Sequence, residues 1–142
     1  MNCIVTAGPT YEPLDDVRRL TNFSTGRLGS ELANFLAARG HQITLLIGET
    51  ATHCGKRKAQ TIITFSTTAD LRKKLKSLSA KSTDAIFHAA AVSDFAFGKI
   101  QSCSARGKQT KIRSKKISTR NGVLLAELIP TPKIIDQLRD WF

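Results

Sequence analysis

Short runs of aliphatic and β-branched residues alternate with amphipathic stretches along residues 2–92. Residues 2–7, 43–47 and 61–65 predict buried strands, and the near-continuous apolar run at residues 84–92 predicts a central strand covered on both faces. Apolar positions spaced three and four apart predict helices after the first and third strands. Strands that alternate with helices indicate a parallel sheet with right-handed crossovers. The predicted fold class is therefore α/β, a three-layer Rossmann-like sheet with helices on both faces.

Both of these helices carry recognisable end signals. The first begins at Arg27, ends at Gly40, and is predicted to bury the apolar positions Leu28, Leu32, Phe35 and Leu36. The second opens with Thr67 and Asp70, which resemble a capping box. Its predicted buried positions are Leu71, Leu75 and Leu78.

Two segments depart from the alternation of strands and helices. The loop at residues 8–19 is unusually long, and loops of that length in compact domains are commonly functional. Residues 111–118 and 123–129 look extended, and the Asn121-Gly122 pair between them is typical of a tight hairpin turn. The sequence therefore predicts a functional loop after the first strand and a β-hairpin, or flap, late in the chain.

A last helix follows the predicted hairpin. Thr131 is the expected N-cap, and Pro132 suits the first helical turn. Because no strand follows this helix, we expect its apolar residues to be exposed unless another chain covers them. These residues are Ile134, Ile135, Leu138, Trp141 and Phe142.

Composition sets limits on the class of protein. A chain of 142 residues that is 41% hydrophobic is long enough for one domain with a sizeable core. No stretch approaches the roughly 20 apolar residues that span a bilayer, so we expect a soluble cytoplasmic protein with no membrane contact. The three cysteines lack the spacing of a disulfide framework or zinc site, and His88 is interpreted as a strand residue rather than a base.

The charge of the chain is uneven. The formal net charge is +11, and residues 95–126 contain eight of the 22 lysines and arginines but no acidic residue. Such a region could bind nucleic acid, clamp a small polyphosphate or form a solvated loop. Nucleic acid is disfavoured, because Phe95 and Phe97 are the only aromatic residues nearby and neither is interleaved with the basic positions.

Residues 22–29 form a polar, glycine-punctuated loop that leads into the first helix. The first N–H groups of a helix lack internal acceptors and carry partial positive charge, so they can bind phosphate. Gly26 and Gly29 would admit a ligand close to the backbone, and Ser24 offers a hydroxyl group. An ordinary helix start with packing glycines explains the same residues equally well, since a lone Gly-x-x-Gly is a weak pattern.

Three segments together resemble one family, phosphopantothenate–cysteine ligase, the ligase domain of the DNA/pantothenate metabolism flavoproteins. The first segment is Thr-Ala-Gly-Pro-Thr-Tyr-Glu-Pro-Leu-Asp at residues 6–15, with Val17-Arg18 and residues 22–29. The second is Ala-Ala-Ala-Val-Ser-Asp-Phe at residues 89–95. The third is Lys-Ile-Arg-Ser-Lys-Lys at residues 111–116, followed by Pro-Thr-Pro at residues 130–132. The first segment is highly specific, and the resemblance covers most of the chain.

The resemblance implies an enzyme of coenzyme A biosynthesis. The family activates the carboxylate of 4′-phosphopantothenate with CTP or ATP and Mg²⁺, releases pyrophosphate, and lets the amine of L-cysteine displace the nucleotide. Preorganised N–H donors and cations suit the charge that develops on phosphate in such a reaction. A homodimer and a decarboxylase domain or chain are the further partners that the family implies, and no flavin is expected in this domain.

The resemblance also assigns site residues by position. Asn22 matches an asparagine near the reacting carbonyl, and Lys111 matches a flap lysine that closes on the phosphates; both are the predicted catalytic residues. The predicted nucleotide-binding positions are Gly8, Ser24, Gly26, Gly29, Ala90, Ala91, Asp94 and Lys111. The predicted substrate-binding positions are Asn22, Ala90, Ala91 and Asp94. No protein metal site is predicted.

Some alternatives stay open. An ungapped alignment from Thr131 places Arg113 at the start of the flap motif and Lys115 in its final pair, so Lys111, Arg113 and Lys115 all compete for the flap position. The sequence lacks the family's later strand and lysines, so we expect residues 1–142 to be a single nucleotide-binding ligase domain without the C-terminal part. The alternative functions are a non-catalytic nucleotide- or phosphate-binding module, or a truncated inactive fragment, with a basic flap that binds a partner.

Overall fold

The structure is a computed structural model that describes residues 1–79, 82–103, 109–112, 116–118 and 122–142. Its strands are β1 (Asn2–Ala7), β2 (Tyr11–Pro13), β3 (Arg19–Thr21), β4 (Gln42–Gly48), β5 (Thr61–Phe65), β6 (Ala85–His88), β7 (Phe95–Cys103), β8 (Gln109–Lys111) and β9 (Val123–Pro130). Its helices are α1 (Arg27–Ala38), α2 (Thr68–Leu78) and α3 (Ile134–Trp141).

The main sheet is parallel and has the strand order β5-β4-β1-β6. Helix α1 covers one face of this sheet, where Ala33 packs with Val5 and Leu45. Helices α2 and α3 cover the other face, where Leu71 and Ile134 share one apolar cluster. The predicted three-layer α/β fold with helices on both faces is therefore confirmed.

The prediction of a central strand at residues 84–92 is wrong. Strand β6 has only four residues, all half-buried, and within the described part of the chain it pairs with β1 alone, at the edge of the sheet. The apolar run misleads because the three alanines at residues 89–91 lie beyond the end of the strand. Ala89 and Ala91 donate to the carbonyl oxygens of Thr6 and Gly8, so they follow the end of β1 as irregular backbone.

Helix α1 packs through small residues rather than large ones. Gly29, Ser30 and Ala33 are its buried positions, whereas Leu28 is 74% exposed and Phe35 is 51% exposed. The prediction that Leu28 and Phe35 are buried is therefore wrong, whereas Leu32 and Leu36 are partly buried. A helix that lies this close to a sheet has no room for a large side chain at the contact.

The start of α2 is confirmed and the start of α3 is not as predicted. The Thr67 hydroxyl accepts a hydrogen bond from Asp70 N at 3.1 Å, as a capping box requires. Helix α3 instead has Lys133 at the N-cap and no side-chain cap bond. Thr131, the predicted cap, donates its hydroxyl hydrogen to Ser93 O.

The expected exposure of α3 is only partly correct. Ile134 and Leu138 are buried in the cluster beneath α2, and Trp141 packs against it, whereas Ile135 is 61% exposed and Phe142 is also exposed. The helix therefore has a true buried face within this chain.

The second sheet is antiparallel and has β7 in its centre. Strands β8 and β9 pair with opposite edges of β7, in the order β8-β7-β9. The predicted hairpin between residues 111–118 and 123–129 is therefore wrong, since β8 and β9 do not pair with each other. Asn121 of the predicted turn lies outside the described residues. A register shift between Phe97 and Ile100 interrupts the alternation of β7 and explains why its pattern is weak.

The long segment after β1 is ordered rather than a simple loop. Strands β2 and β3 form a two-stranded antiparallel hairpin within it. Tyr11 donates its hydroxyl hydrogen to Glu49 Oε1 at 2.7 Å, and the Arg19 guanidinium lies 4.8 Å from the Tyr11 ring centre. The Tyr11–Glu49 bond joins the hairpin to the carboxyl end of the main sheet, and the Arg19–Tyr11 contact lies within the hairpin.

Candidate functional site

The N-terminus of α1 opens at the carboxyl edge of the main sheet. Gly26 is the N-cap, no side chain caps the helix, and the first turn contains no acidic residue. Among the described residues the N–H groups of Leu28 and Gly29 have no acceptor, whereas Arg27 N donates to Thr25 Oγ1 at 3.3 Å. A depression of about 510 Å³ lies at this point, lined by residues of the loop, by the start of α1 and by Ala89. This arrangement can accept an anion.

The predicted glycines divide by role. Gly8 and Gly26 have φ angles of +79° and +77°, and a Cβ atom on Gly26 would lie 3.2 Å from Gly8 Cα. A Cβ atom on Gly29 would lie 2.6 Å from Ala7 Cβ. Gly29 therefore allows α1 to contact β1 directly, while Gly8 and Gly26 allow two loops to cross at the edge of the sheet.

Asn22 joins the glycine loop to the end of β6. Its Nδ2 group donates to Ala91 O at 3.2 Å and to Val92 O at 3.1 Å. The acceptors are carbonyl oxygens, so the amide must face them with its nitrogen and turn Oδ1 away. Asn22 and Ala91, both predicted site residues, are thus in contact, and no described residue donates to Asn22 Oδ1, which leaves it open to a ligand.

A buried polar cluster, which the sequence did not predict, supports the turn at Ser93 and Asp94. Thr10 Oγ1 accepts from Ser93 N at 2.8 Å and lies 3.2 Å from Thr68 Oγ1. Thr131 Oγ1 donates to Ser93 O at 2.5 Å, and Thr131 N donates to Asp94 O at 2.9 Å. Ser93 is therefore held through both its N–H and its C=O. The available signal was Thr10, a polar residue two positions after Gly8 at the end of β1.

The Asp94 side chain is exposed and forms an ion pair with Lys133. The carboxylate raises the pKa of the Lys133 ammonium group. Lys133 was not among the predicted site residues. Within the described ranges no group of three or more His, Cys, Asp or Glu side chains could hold a metal ion. The available donor set is a single carboxylate, which suits a Mg²⁺ ion bound mainly by phosphate and water.

His88 is bound within the sheet. The Thr6 hydroxyl accepts from Ala90 N at 3.1 Å and shares a hydrogen bond of 2.8 Å with His88 Nδ1. This bond fixes the orientation of the imidazole ring beside β1. Burial lowers the pKa of His88. The interpretation of His88 as a strand residue agrees with these contacts.

The predicted flap lysine, Lys111, forms no hydrogen bond or ion pair with the described residues of the glycine loop. Lys111 is exposed at the end of β8, opposite Gln101 of β7, and its ammonium group has no partner among the described residues. Arg113 and Lys115, the alternatives to Lys111, lie outside the described residues. The structure therefore brings together Asn22, Ala91 and the loop glycines, and it places Asp94 on the adjacent turn, but it leaves Lys111 apart.

Residues 1–140 match the family model described as the DNA/pantothenate metabolism flavoprotein C-terminal domain. The chain belongs to this family. A curated relative from Thermococcus kodakarensis, named coenzyme A biosynthesis bifunctional protein CoaBC, is 31% identical over 140 residues. That match covers 96% of this chain and 30% of the relative. The chain spans about a third of the length of the curated relatives that it matches over nearly its whole length.

Solved structures share this fold. The DNA/pantothenate metabolism flavoprotein from Streptococcus pneumoniae has a TM-score of 0.80 and 28% identity, and the match covers 99% of this chain and 65% of that one. A Cab2 mutant in complex with phosphopantothenate-cysteine has a TM-score of 0.68 and 24% identity, covering 96% and 58%. In the part of the chain that is described, no helix is both long and apolar enough to cross a membrane.

Proposed function

We propose that this family member is a phosphopantothenate–cysteine ligase of coenzyme A biosynthesis. The contact of Asn22 with the Ala91 and Val92 carbonyl oxygens carries the proposal, because Asn22 would offer an amide acceptor to a ligand bound at the uncapped start of α1. An anion site and a polar group that can orient a reacting centre are the two requirements of an acyl-nucleotide reaction. The relative named CoaBC and the ligand named for the Cab2 structure support the same assignment.

The proposed reaction has two steps. The carboxylate of 4′-phosphopantothenate attacks the α-phosphorus of CTP or ATP, the bond to the β-phosphate bridging oxygen breaks, and pyrophosphate leaves. The cysteine amine then attacks the acyl carbonyl, loses a proton, and expels the nucleoside monophosphate. The free N–H groups of Leu28 and Gly29 would bind phosphate oxygens, together with Ser24. Asn22 Oδ1 would accept a hydrogen bond from an N–H group near the acyl centre.

The nucleotide would lie along the carboxyl edge of the main sheet. Ala90 and Ala91 are small and leave room beside β1, and Gly8 and Gly26 keep the loop crossing narrow. Asp94 is the carboxylate that this edge offers to ribose, base or Mg²⁺, and Lys133 would release it on binding. Magnesium supplies charge neutralisation on the triphosphate. Neither this edge nor the sequence selects CTP over ATP.

A homodimer is the proposed assembly. The second sheet exposes several large apolar residues, at 43–65% of their surface: Phe95, Val123, Leu125, Leu128 and Ile129. Exposed apolar surface of this extent favours contact with a second copy. A decarboxylase domain or chain is a further proposed partner, supported by the word bifunctional in the name of the CoaBC relative. The cytoplasmic location and the absence of membrane contact remain predictions.

The decisive experiment is a pyrophosphate-release assay with CTP or ATP and Mg²⁺. Release should require both 4′-phosphopantothenate and cysteine, and product of the ligated mass should appear by mass spectrometry. Lys111→Gln should lower turnover strongly, with Lys99→Gln as a control on the same sheet. If Lys115→Gln is instead the damaging change, the alternative register holds. Absence of release from the protein that carries this domain would contradict the proposal.

The second candidate is a non-catalytic phosphate-binding module. The net charge of +11 and the acid-free basic region favour it as the alternative. Such a module would bind generic nucleic acid or a polyanion with a steep salt dependence and would show no response to the pantothenate substrate. Binding of CTP or ATP that is enhanced by 4′-phosphopantothenate would exclude this alternative.

A further inference from the structure

The side chains of Asp15 and Arg18 hold the backbone of Ile117 at two points. Asp15 Oδ2 accepts a hydrogen bond from Ile117 N at 3.1 Å, and Arg18 Nη2 donates to Ile117 O at 2.7 Å. The same two side chains form an ion pair with a 2.5 Å contact. The pair therefore satisfies both backbone polar groups of Ile117, as a neighbouring strand would.

The carboxylate of this contact is buried and fully used, whereas the Arg18 side chain is 40% exposed. The Asp15 side chain is 1% exposed, and its Oδ1 atom also accepts from Val17 N at 3.1 Å and from Arg18 N at 2.8 Å. The hydrogen bond from Arg18 holds the pKa of the Asp15 carboxyl group well below its usual range. Ile117 itself is 4% exposed. A carboxylate with this number of donors has one favourable position, so the contact is rigid.

The contact joins parts of the chain that are distant in sequence. Asp15 and Arg18 lie between β2 and β3, and Ile117 lies 102 residues after Asp15, in the acid-free basic region. Five residues before Ile117 in the same region, Ile112 N donates to Ile100 O of β7 at 3.0 Å. The described residues on either side of residues 113–115 are therefore anchored, Ile112 to the second sheet and Ile117 to the hairpin.

We propose that Asp15 and Arg18 are positioning residues that anchor the basic region through the Ile117 backbone. This inference rests on the proposed function for its catalytic consequence, because the lysines of this region are the cations that would meet the nucleotide phosphates. The anchor sets where those cations stand when charge develops on phosphate. Displacing these lysines lowers kcat more than it weakens nucleotide binding.

Hydrogen exchange at the Ile117 amide tests the anchor without any activity assay. Asp15→Asn keeps the shape of the side chain but removes its charge, and Arg18→Met removes the donor to Ile117 O. We expect exchange at Ile117 to accelerate at least tenfold in both variants, with the protection of β1 and β4 unchanged. Lys74→Met, which removes the 2.7 Å Lys74–Asp70 ion pair of α2, is the matched control and should leave Ile117 protected.

Two outcomes decide the proposal. Unchanged exchange at Ile117 in Asp15→Asn would overturn the anchor, and this variant is the decisive one if Arg18→Met does not fold. In the ligase assay, kcat should fall at least tenfold in Asp15→Asn while KM for the nucleotide changes less than threefold. A retained kcat with accelerated exchange would overturn the positioning role alone. If the unaltered protein shows no ligation, the proposed function fails and exchange still decides whether the anchor exists.

Discussion

Gly29 of α1 stands so close to Ala7 of β1 that a Cβ atom on Gly29 would lie 2.6 Å from Ala7 Cβ. The same atom would lie 2.7 Å from Thr6 O, which is backbone and cannot move aside. Because Gly29 has no side chain, the start of α1 can lie directly against the end of β1. The free N–H groups of the helix owe their position to this contact.

Replacing Gly29 by Ala should displace the start of α1. Overpacking of this kind costs about 1–3 kcal/mol of stability, partly offset by about 1 kcal/mol of helix propensity. We also expect nucleotide affinity to fall at least tenfold. Gly40→Ala is the matched control, because Gly40 has a φ of +80° and open space around it. Its cost of about 1 kcal/mol should come from backbone strain alone. Urea unfolding and nucleotide titration of both variants check this, and equal nucleotide affinity would contradict it.

Asn22 should matter for turnover more than for stability. Asn22→Asp replaces the donor to Ala91 O and Val92 O by a second acceptor, so the loop and the end of β6 should separate. We expect kcat to fall at least a hundredfold in Asn22→Asp, while the free energy of unfolding changes by about 1 kcal/mol or less for this exposed residue. Steady-state kinetics and urea unfolding together measure both effects.

A second asparagine provides the control for Asn22. Asn34 donates to Lys56 O at 2.7 Å and accepts from Lys58 N at 2.7 Å, in a pairing with backbone that lies away from Asp94 and Ala91. Asn34→Ala should lower stability and leave turnover unchanged. Equal losses of turnover in the two variants would show that Asn22 acts only by holding the fold.

Thr10 should be required for the polar cluster under Ser93. Thr10→Val has nearly the same shape, but it leaves Ser93 N without its acceptor in a residue that is 3% exposed. An unsatisfied buried donor costs about 1–3 kcal/mol. Thr10→Ser keeps the hydroxyl group and should lose much less. Thermal or urea unfolding compares the two, and a loss in Thr10→Ser as large as that in Thr10→Val would contradict the prediction, because the methyl group would then matter as much as the oxygen.

His88 should make stability depend on pH. Burial lowers the pKa of His88 in the folded state, so the unfolded chain binds a proton more readily. Stability is therefore complete above the unfolded value of about 6.5 and falls as the pH drops from there toward the folded pKa. Unfolding midpoints at pH 7.5 and pH 5.5 should differ less in His88→Gln than in the unaltered chain. An identical pH dependence in both would refute this role of His88.

The local patterns predicted those elements whose formation depends on neighbours in sequence. Strand β1 and the cap of α2 at Thr67 were found because a β-branched run and a capping residue three positions from its partner act locally. Helix α1 was placed correctly, but its buried face was not. A hydrophobic pattern is set mainly by large apolar residues, so it indicated Leu28 and Phe35. The helix instead contacts the sheet through small residues such as Gly29 and Ala33.

The remaining features depend on partners that are remote in sequence. Thr131 reads as an N-cap, but its hydroxyl bonds Ser93, 38 residues earlier, which no local signal indicates. Asp15 and Arg18 belong to the family-like segment, yet their contact with Ile117 could not be inferred from it. Strand β7 was missed because its alternation breaks between Phe97 and Ile100. The contact of Asn22 with Ala91 was expected only through the family resemblance.

The central position of β7 should make the antiparallel sheet a cooperative unit. Within the described residues, strands β8 and β9 pair only with β7, so the antiparallel sheet should form or open as a whole, whereas the parallel sheet around β1 has its own apolar clusters. Sub-global opening of the smaller unit should therefore need less free energy than complete unfolding. A ligand that contacts both sheets should raise the free energy of opening of the antiparallel sheet to that of complete unfolding. Native-state hydrogen exchange would then show one opening free energy for both sheets.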